Sequence, residues 1–309
     1  MEIFDEYESE VRGYIRSFPI VFDKAIGSEL FDEDGNRFID FFAGAGTLNY
    51  GHNPERAVEA QIQYLKDRRI AHGLDKATVA KKEFLETFVE KILKPRKMLY
   101  KLQFTGPTGT NCTEAAMKLA RQATGRNTII AFTNGYHGHT MGALAATGNE
   151  AYRDASYGAR GSVNFMPFDG FLGDVDTLYV FRRHLESKGS GLEHPAAVIL
   201  ETVQGEGGIN VASKEWLQGV EKLCRDFDML LIIDDIQVGN GRTGKFFSFE
   251  EAGIKPDLIC LSKSIGGGNP MAVLLIKPEV DVWSPGEHTG TFRGNSLAFL
   301  AAKELIDEY

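Results

Sequence analysis

A lysine that closes an apolar run and opens a glycine-rich turn is a candidate nucleophile. Lys263 lies just past Asp257-Leu-Ile-Cys-Leu261 and just before Ser264-Ile-Gly-Gly-Gly-Asn-Pro270. A second apolar run, Met229-Leu-Leu-Ile-Ile233, ends in Asp234-Asp235-Ile236-Gln237. An α/β protein gathers its chemistry at the ends of its buried strands. A lysine and an aspartate at two such ends suggest a Schiff base to pyridoxal phosphate, with a carboxylate on its pyridinium nitrogen. An isolated lysine is most often a solvated surface residue, so this reading depends on the rest of the chain.

The elements that position these residues can be read from periodicity. Phe31-Asp-Glu-Asp-Gly35-Asn-Arg-Phe-Ile-Asp40 predicts a hairpin around an Asp-Gly turn. Helical spacing runs from Glu55 to Arg68 and from Ala77 to Leu93, the second stopping before Pro95. From there strands and helices alternate. Strands are expected at Leu102–Thr105, Thr128–Phe132, Ala196–Glu201, Met229–Asp234, Leu258–Leu261 and Ala272–Ile276, with helices over Thr113–Ala123 and Lys214–Phe227. The strand runs are short, β-branched and not alternating, as in strands buried on both faces. They imply an α/β fold of three layers, a mostly parallel sheet covered by helices. The chain closes within a helical pattern, Ser296 to Tyr309, that carries no C-cap glycine and looks cut in mid-element.

Several strand ends carry further candidates. Gly106-Pro-Thr-Gly109-Thr110-Asn-Cys-Thr-Glu114 joins a strand to a helix. Its backbone N–H groups, glycine and threonine could make a phosphate cup, or simply a helix start capped by Thr113 or Asn111. Neither this segment nor the one around Lys263 has the spacing of a Walker phosphate loop. In Asn134-Gly-Tyr136-His137-Gly-His139, Tyr136 or His137 could stack on a flat ring; a polar turn is the plainer reading. The two histidines find no carboxylate or cysteine nearby in sequence, so no metal is expected. Glu201, ending another strand, is a site acid or a salt-bridge partner. Gly239-Asn-Gly-Arg-Thr-Gly244 matches a dinucleotide fingerprint by spacing but opens no convincing helix, so the match is accidental. There is no Gly-x-Ser-x-Gly elbow for a hydrolase triad.

The bulk properties narrow the class. The 309 residues allow one large domain or two. A net charge of −9 argues against a nucleic-acid surface and offers no basic membrane patch. Cys112, Cys224 and Cys260 are far apart and form no disulfide framework, as expected in a reducing cytoplasm. The acidic N-terminus is unlike a signal peptide, and no apolar run is long enough to span a bilayer.

In order, these segments resemble the class III aminotransferases, which are fold-type I pyridoxal-phosphate enzymes. The resemblance runs from about Phe31 to the last residue. It is most specific in Leu231-Ile-Ile-Asp234-Asp-Ile-Gln237-Val-Gly-Asn-Gly-Arg-Thr-Gly244 and Pro256-Asp-Leu-Ile-Cys-Leu-Ser-Lys263. Within the class, Phe42-Ala-Gly-Ala-Gly-Thr-Leu-Asn-Tyr-Gly-His-Asn-Pro54, the Thr105–Glu114 segment and Gly290-Thr-Phe-Arg-Gly-Asn295 look like the diaminobutyrate transaminases of ectoine biosynthesis, with siderophore-pathway enzymes as near relatives. The resemblance implies that Lys263 bonds the cofactor and then moves the substrate proton. Asp234 would hold the ring nitrogen protonated, Gln237 would touch the ring oxygen, Gly109 and Thr110 would bind phosphate, and Tyr136 would stack on the ring. Thr291 would reach the phosphate of a neighbouring subunit, since the family builds its sites at a dimer interface. Glu201 resembles the glutamate that pairs with, or releases, a substrate-binding arginine. Asp235 stands where many relatives have glutamate.

The implied organisation is an N-terminal small-domain segment over 1–50, a cofactor-binding large domain over 51–295, and the start of a truncated C-terminal domain over 296–309. The missing small domain would carry the arginine for the substrate α-carboxylate, and the final helix would lack its cover. The implied reaction is ping-pong transfer of an amino group from L-glutamate to L-aspartate 4-semialdehyde, giving L-2,4-diaminobutyrate and 2-oxoglutarate, in a cytoplasmic homodimer or higher homo-oligomer. Rivals are an ornithine- or 4-aminobutyrate-type transaminase, a semialdehyde aminomutase, and a non-catalytic cofactor-binding remnant.

Overall fold

A computed structural model describes residues 1–157 and 161–307. Its first strands, β1 (Phe22–Ile26), β2 (Glu29–Asp32) and β3 (Arg37–Ile39), form a small antiparallel sheet. The β2–β3 hairpin turns at Asp32–Asn36 as the Asp-Gly signal predicts. Asp32 closes it by accepting from the Asn36 backbone N–H at 2.7 Å.

The central sheet has seven strands. They are β4 (Lys101–Gly106), β5 (Ile129–Phe132), β6 (Val163–Met166), β7 (Ala197–Leu200), β10 (Leu230–Asp234), β11 (Leu258–Leu261) and β12 (Ala272–Ile276). Two short strands, β8 (Val203–Gln204) and β9 (Asn210–Val211), pair separately. The order is β4-β12-β11-β10-β7-β5-β6, and only β12 runs antiparallel to its neighbours. The expected mostly parallel, helix-covered sheet is present. Alternate residues feed its two faces. Ile129, Ile199, Ile232, Leu258 and Leu274 pack under the Gly109–Thr124 helix with Cys112, Ala116 and Met117. Ile130, Val198, Leu231, Ile259 and Val273 face Phe84, Phe88, Trp216 and Phe299 from the opposite layer. The runs lack polar alternation because both faces are buried.

Helix ends obey local chemistry. Ser213 caps the Lys214–Asp226 helix by accepting from Trp216 N at 3.2 Å. Gly125, at φ 66°, closes the Gly109–Thr124 helix in the left-handed conformation. That helix starts earlier than the sequence pattern suggests. Thr108 is its cap residue, so Asn111 and Thr113 lie inside it. Its first-turn N–H groups therefore belong to Gly109 and Thr110. Among the described residues, no helix is long and apolar enough to cross a membrane, and the three cysteines are buried without a disulfide.

One expectation is overturned. The final helix, Ser296–Ile306, is covered: eight of its residues are buried, packed on the Glu55–Lys66 and Val79–Phe88 helices. Its cover comes from elements far earlier in the chain, a pairing that no local sequence pattern reveals. Glu308 and Tyr309, the end of the helical pattern, lie outside the described residues. Phe299 is 2% exposed, with its ring centroid 5.3 Å from that of Phe84 and 4.7 Å from that of Phe104. Phe299→Ala should lower unfolding free energy by about 3–5 kcal/mol in urea titrations. A loss below about 1 kcal/mol would show that the helix is not part of the core.

Candidate active site

Parallel pairing sets Asp234 beside Cys260, so the ends of β10 and β11 lie together. Three residues past Cys260, Lys263 leaves the sheet with φ 51°, an unusual value for a lysine. It turns its amine back over the strand ends. A cavity of about 290 Å³ opens there, lined by Thr108, Gly109, Thr110, Tyr136, His137, Gly138, His139, Glu201, Asp234, Ile236, Gln237 and Lys263. Its size is near the lower end for small-molecule sites. All the sequence candidates meet here except Thr291, which is exposed and does not line it. A larger cleft, about 600 Å³, lies at the amino ends of the parallel strands. Arg96 there is paired with Glu250 and Lys277 with Asp257, and no carboxyl end of a parallel strand opens into it. We place the chemistry in the smaller cavity.

Asp234 is 4% exposed and accepts a hydrogen bond from His137 Nδ1 at 2.7 Å. Sequence distance hides this carboxylate from the histidine, since 97 residues separate them. Burial disfavours an imidazolium at His137, but the hydrogen bond and charge of Asp234, with the charge of Glu201, outweigh it and raise its pKa. His137 is clamped on both sides. Its N–H donates to Thr147 Oγ1 at 3.0 Å, and its carbonyl accepts from Thr113 Oγ1 at 2.8 Å. Its Nε2 is buried without a protein partner among the described residues. Among those residues no group of three or more histidines, cysteines, aspartates and glutamates could hold a metal ion.

Asp235 points elsewhere. It accepts from Ser248 Oγ and, at 3.2 Å, from Ser248 N, and burial pushes it up to about 7. Neighbouring residues of an extended strand face opposite ways, so Asp234 alone lines the cavity.

Lys263 Nζ donates to Ala45 O at 2.8 Å. Burial lowers its pKa, against the charges of Glu206, Asp234 and Glu201. Gln237 Nε2 donates to the same Ala45 carbonyl and to Glu206 Oε1, each at 3.0 Å. Glu201 is buried and accepts from Tyr136 N at 2.8 Å; burial pushes it up to about 8. Glu206, which the sequence pattern does not single out, stands exposed at the mouth. Tyr136 is pushed up to about 12 by burial, so its phenol keeps its proton.

The residues fit a flat, phosphorylated pyridine. A Cβ on Gly109 would come within 2.9 Å of Ile236, and one on Gly138 would collide with Thr110 Oγ1, so the backbone sits close at both places. The first-turn N–H groups of Gly109 and Thr110 have no acceptor inside the helix and make an anion site with the helix dipole. Thr140 steadies this end: its Oγ1 lies 2.7 Å from Thr110 Oγ1 and donates to Glu114 at 2.6 Å. A buried carboxylate suits a protonated ring nitrogen, and a lysine amine suits a carbonyl carbon.

The Glu201 carboxyl has a folded pKa above its unfolded value. Its stabilising contribution is whole below pH ~4.5 and is lost as pH rises towards ~8. Glu201→Gln should therefore lose less thermal stability than the parent between pH 5 and 9, read as melting temperature without added ligand. Parallel losses in the two proteins would show that Glu201 ionises freely when folded.

Residues 12–309 match the class III aminotransferase family model. Over 308 residues the chain is 63% identical to a diaminobutyrate–2-oxoglutarate transaminase of Wolinella succinogenes, covering 99% of this chain and 72% of that protein. It is 57% identical to one of Oceanobacillus iheyensis, covering 100% and 73%. An S-selective transaminase of Bacillus megaterium superposes with a TM-score of 0.88 at 25% identity, over 99% of this chain and 71% of that one. The ornithine aminotransferase of Toxoplasma gondii gives 0.81 at 26%, over 99% and 70%. Strand order, the lysine–aspartate cavity and these likenesses agree: the chain belongs to the class III aminotransferases.

Proposed function

We propose that the chain binds pyridoxal phosphate in the Lys263 cavity and transfers an amino group from L-glutamate to the terminal aldehyde of L-aspartate 4-semialdehyde, as in ectoine biosynthesis. The observation that carries the reading is the convergence of Lys263 Nζ and the His137-bound Asp234 carboxylate on one cavity beside the Gly109–Thr110 helix end. The choice of substrates rests on the relatives that are 57–63% identical, named as diaminobutyrate–2-oxoglutarate transaminases. When bound, pyridoxal phosphate supplies a carbonyl carbon that takes up the amino group and a ring that delocalises the electron pair left when the α-proton departs.

The chain's own residues divide the remaining work. Gly109 N–H and Thr110 N–H bind the phosphate. Asp234 holds a proton on the ring nitrogen, and His137 fixes the carboxylate that does so. Gln237 orients the ring oxygen through its amide, and Tyr136 covers a ring face. Lys263 Nζ carries a proton to and from the substrate carbon; its burial brings that exchange nearer neutrality. Burial of Glu201 favours its neutral form and so limits the negative charge beside Asp234. Glu206, exposed at the mouth, is the carboxylate an incoming amino acid meets first. Thr291 reaches the phosphate in a partner subunit of a homodimer. Residues 51–295 serve as the cofactor domain, with 1–50 and 296–309 belonging to a smaller one.

Two measurements test this reading. Borohydride reduction of the pyridoxal-phosphate-loaded chain should leave the cofactor's mass on Lys263 alone; recovery on another lysine, or on none, rejects the assignment. L-glutamate added to the loaded chain should release 2-oxoglutarate stoichiometrically with cofactor. Asp234→Asn should slow that release roughly a thousandfold or more, and Asp235→Asn far less. Equal, mild losses would remove Asp234 from the ring nitrogen.

A further inference from the structure

The Phe42–Thr47 stretch has no task in the chemistry assigned so far. Ala43, Gly44, Ala45 and Gly46 have φ of 50°, 60°, 54° and 85°, a four-residue left-handed turn. Glycine takes this conformation freely, whereas an alanine is strained in it. Two alanines stay there only if their surroundings hold them. Asp40 Oδ1 accepts from Phe42 N and Ala43 N, both at 2.9 Å, and its other oxygen bonds His52 Nε2 at 2.7 Å. On the far side, Ala43 O accepts from Thr47 N at 3.0 Å and Leu48 N at 3.1 Å.

The turn delivers two carbonyls to the site. Ala45 O accepts from Lys263 Nζ at 2.8 Å and Gln237 Nε2 at 3.0 Å, and Gly46 O accepts from Ser264 Oγ at 3.1 Å. The fit leaves no slack: a Cβ on Gly46 would meet Gln237 Cγ at 3.2 Å. We propose that the Ala43–Gly46 turn is a positioning element for the reaction, its Ala45 carbonyl holding the Lys263 amine and the Gln237 amide on one acceptor. This rests on the reading of Lys263 as the reacting amine. A carbonyl accepts a hydrogen bond but exchanges no proton. It therefore fixes where the amine's N–H points, and so where its lone pair points, without adding a titrating group. Left free, the four-carbon lysine stem would sample many rotamers, and misplacement of a nucleophile is costly in rate.

The test compares Ala45→Gly, which keeps the turn and its carbonyl, with Ala45→Pro, whose φ near −65° cannot enter it. Asp40→Asn, which weakens the outer anchor, serves if the proline variant does not fold. Two quantities are read: the rate of borohydride trapping of pyridoxal phosphate on Lys263, and the pH midpoint of Lys263 acetylation by trace acetic anhydride in ligand-free protein. The charges around that amine are Glu206, Asp234, Glu201 and Arg242, unchanged in all three variants. Ala45→Gly should match the parent in both. Ala45→Pro, or Asp40→Asn, should trap on the order of tenfold more slowly, with a lower midpoint, because the ammonium loses a charge-assisted acceptor. A purely structural turn would lower the melting temperature and leave the midpoint unmoved. Parent-like rate and midpoint in a folded proline or asparagine variant overturn this inference alone. Failure of the parent to trap on Lys263 overturns both it and the proposed function.

Discussion

The site depends on a carboxylate almost wholly withdrawn from water. Asp234 ends a strand buried on both faces, and its side chain is 5% exposed. A charge there is costly unless it is paired and hydrogen-bonded. His137 provides the pairing, and the pairing organises the surroundings. His137 has to leave β5 at a fixed height, so its backbone is held by Thr113 and Thr147. Thr113 belongs to the helix whose first turn, Gly109–Thr110, lines the cavity. One buried pair thus ties the Asp234 end of the cavity to its Gly109–Thr110 end.

Backbone in uncommon conformations surrounds this pair. Lys263 sits at φ 51° and Ala45 at φ 54°, and their side-chain amine and carbonyl meet. Elsewhere the chain removes side chains instead. Gly205 could not carry a Cβ without colliding with Gln237 Oε1, and Gly142 could not without colliding with the Glu114 carboxylate. Strain and close approach gather where several elements must converge on one small volume, and the packed sheet beneath supplies the stability that tolerates them.

Much of this is legible in the sequence. Strand ends are marked by composition, so Lys263, Asp234, Glu201 and the Gly109–Thr110 turn can be found without coordinates. The difference between Asp234 and Asp235 comes from strand alternation. Other features are not legible because they are contacts between distant segments. Nothing near His137 in sequence announces Asp234, and nothing near Ala45 announces Lys263. The edge strand β6 and the Thr177–Glu186 helix escape a periodicity reading because their buried residues are few; only Thr177 and Phe181 of that helix are buried. The start of the Gly109–Thr124 helix reads too late in the sequence, because Gly109 looks like a turn residue and Thr108 does not stand out as a cap.

Whether Asp234 keeps a ring nitrogen protonated can be observed at that nitrogen. The direct measurement is the nitrogen-15 resonance of pyridoxal phosphate labelled at its ring nitrogen and bound to the chain. In the parent protein the resonance should have the shift of a protonated pyridinium across the pH range in which the fold is intact. In Asp234→Asn it should move to that of a neutral pyridine. A neutral shift in the parent, or a pyridinium shift that survives in Asp234→Asn, would refute the role given to this carboxylate.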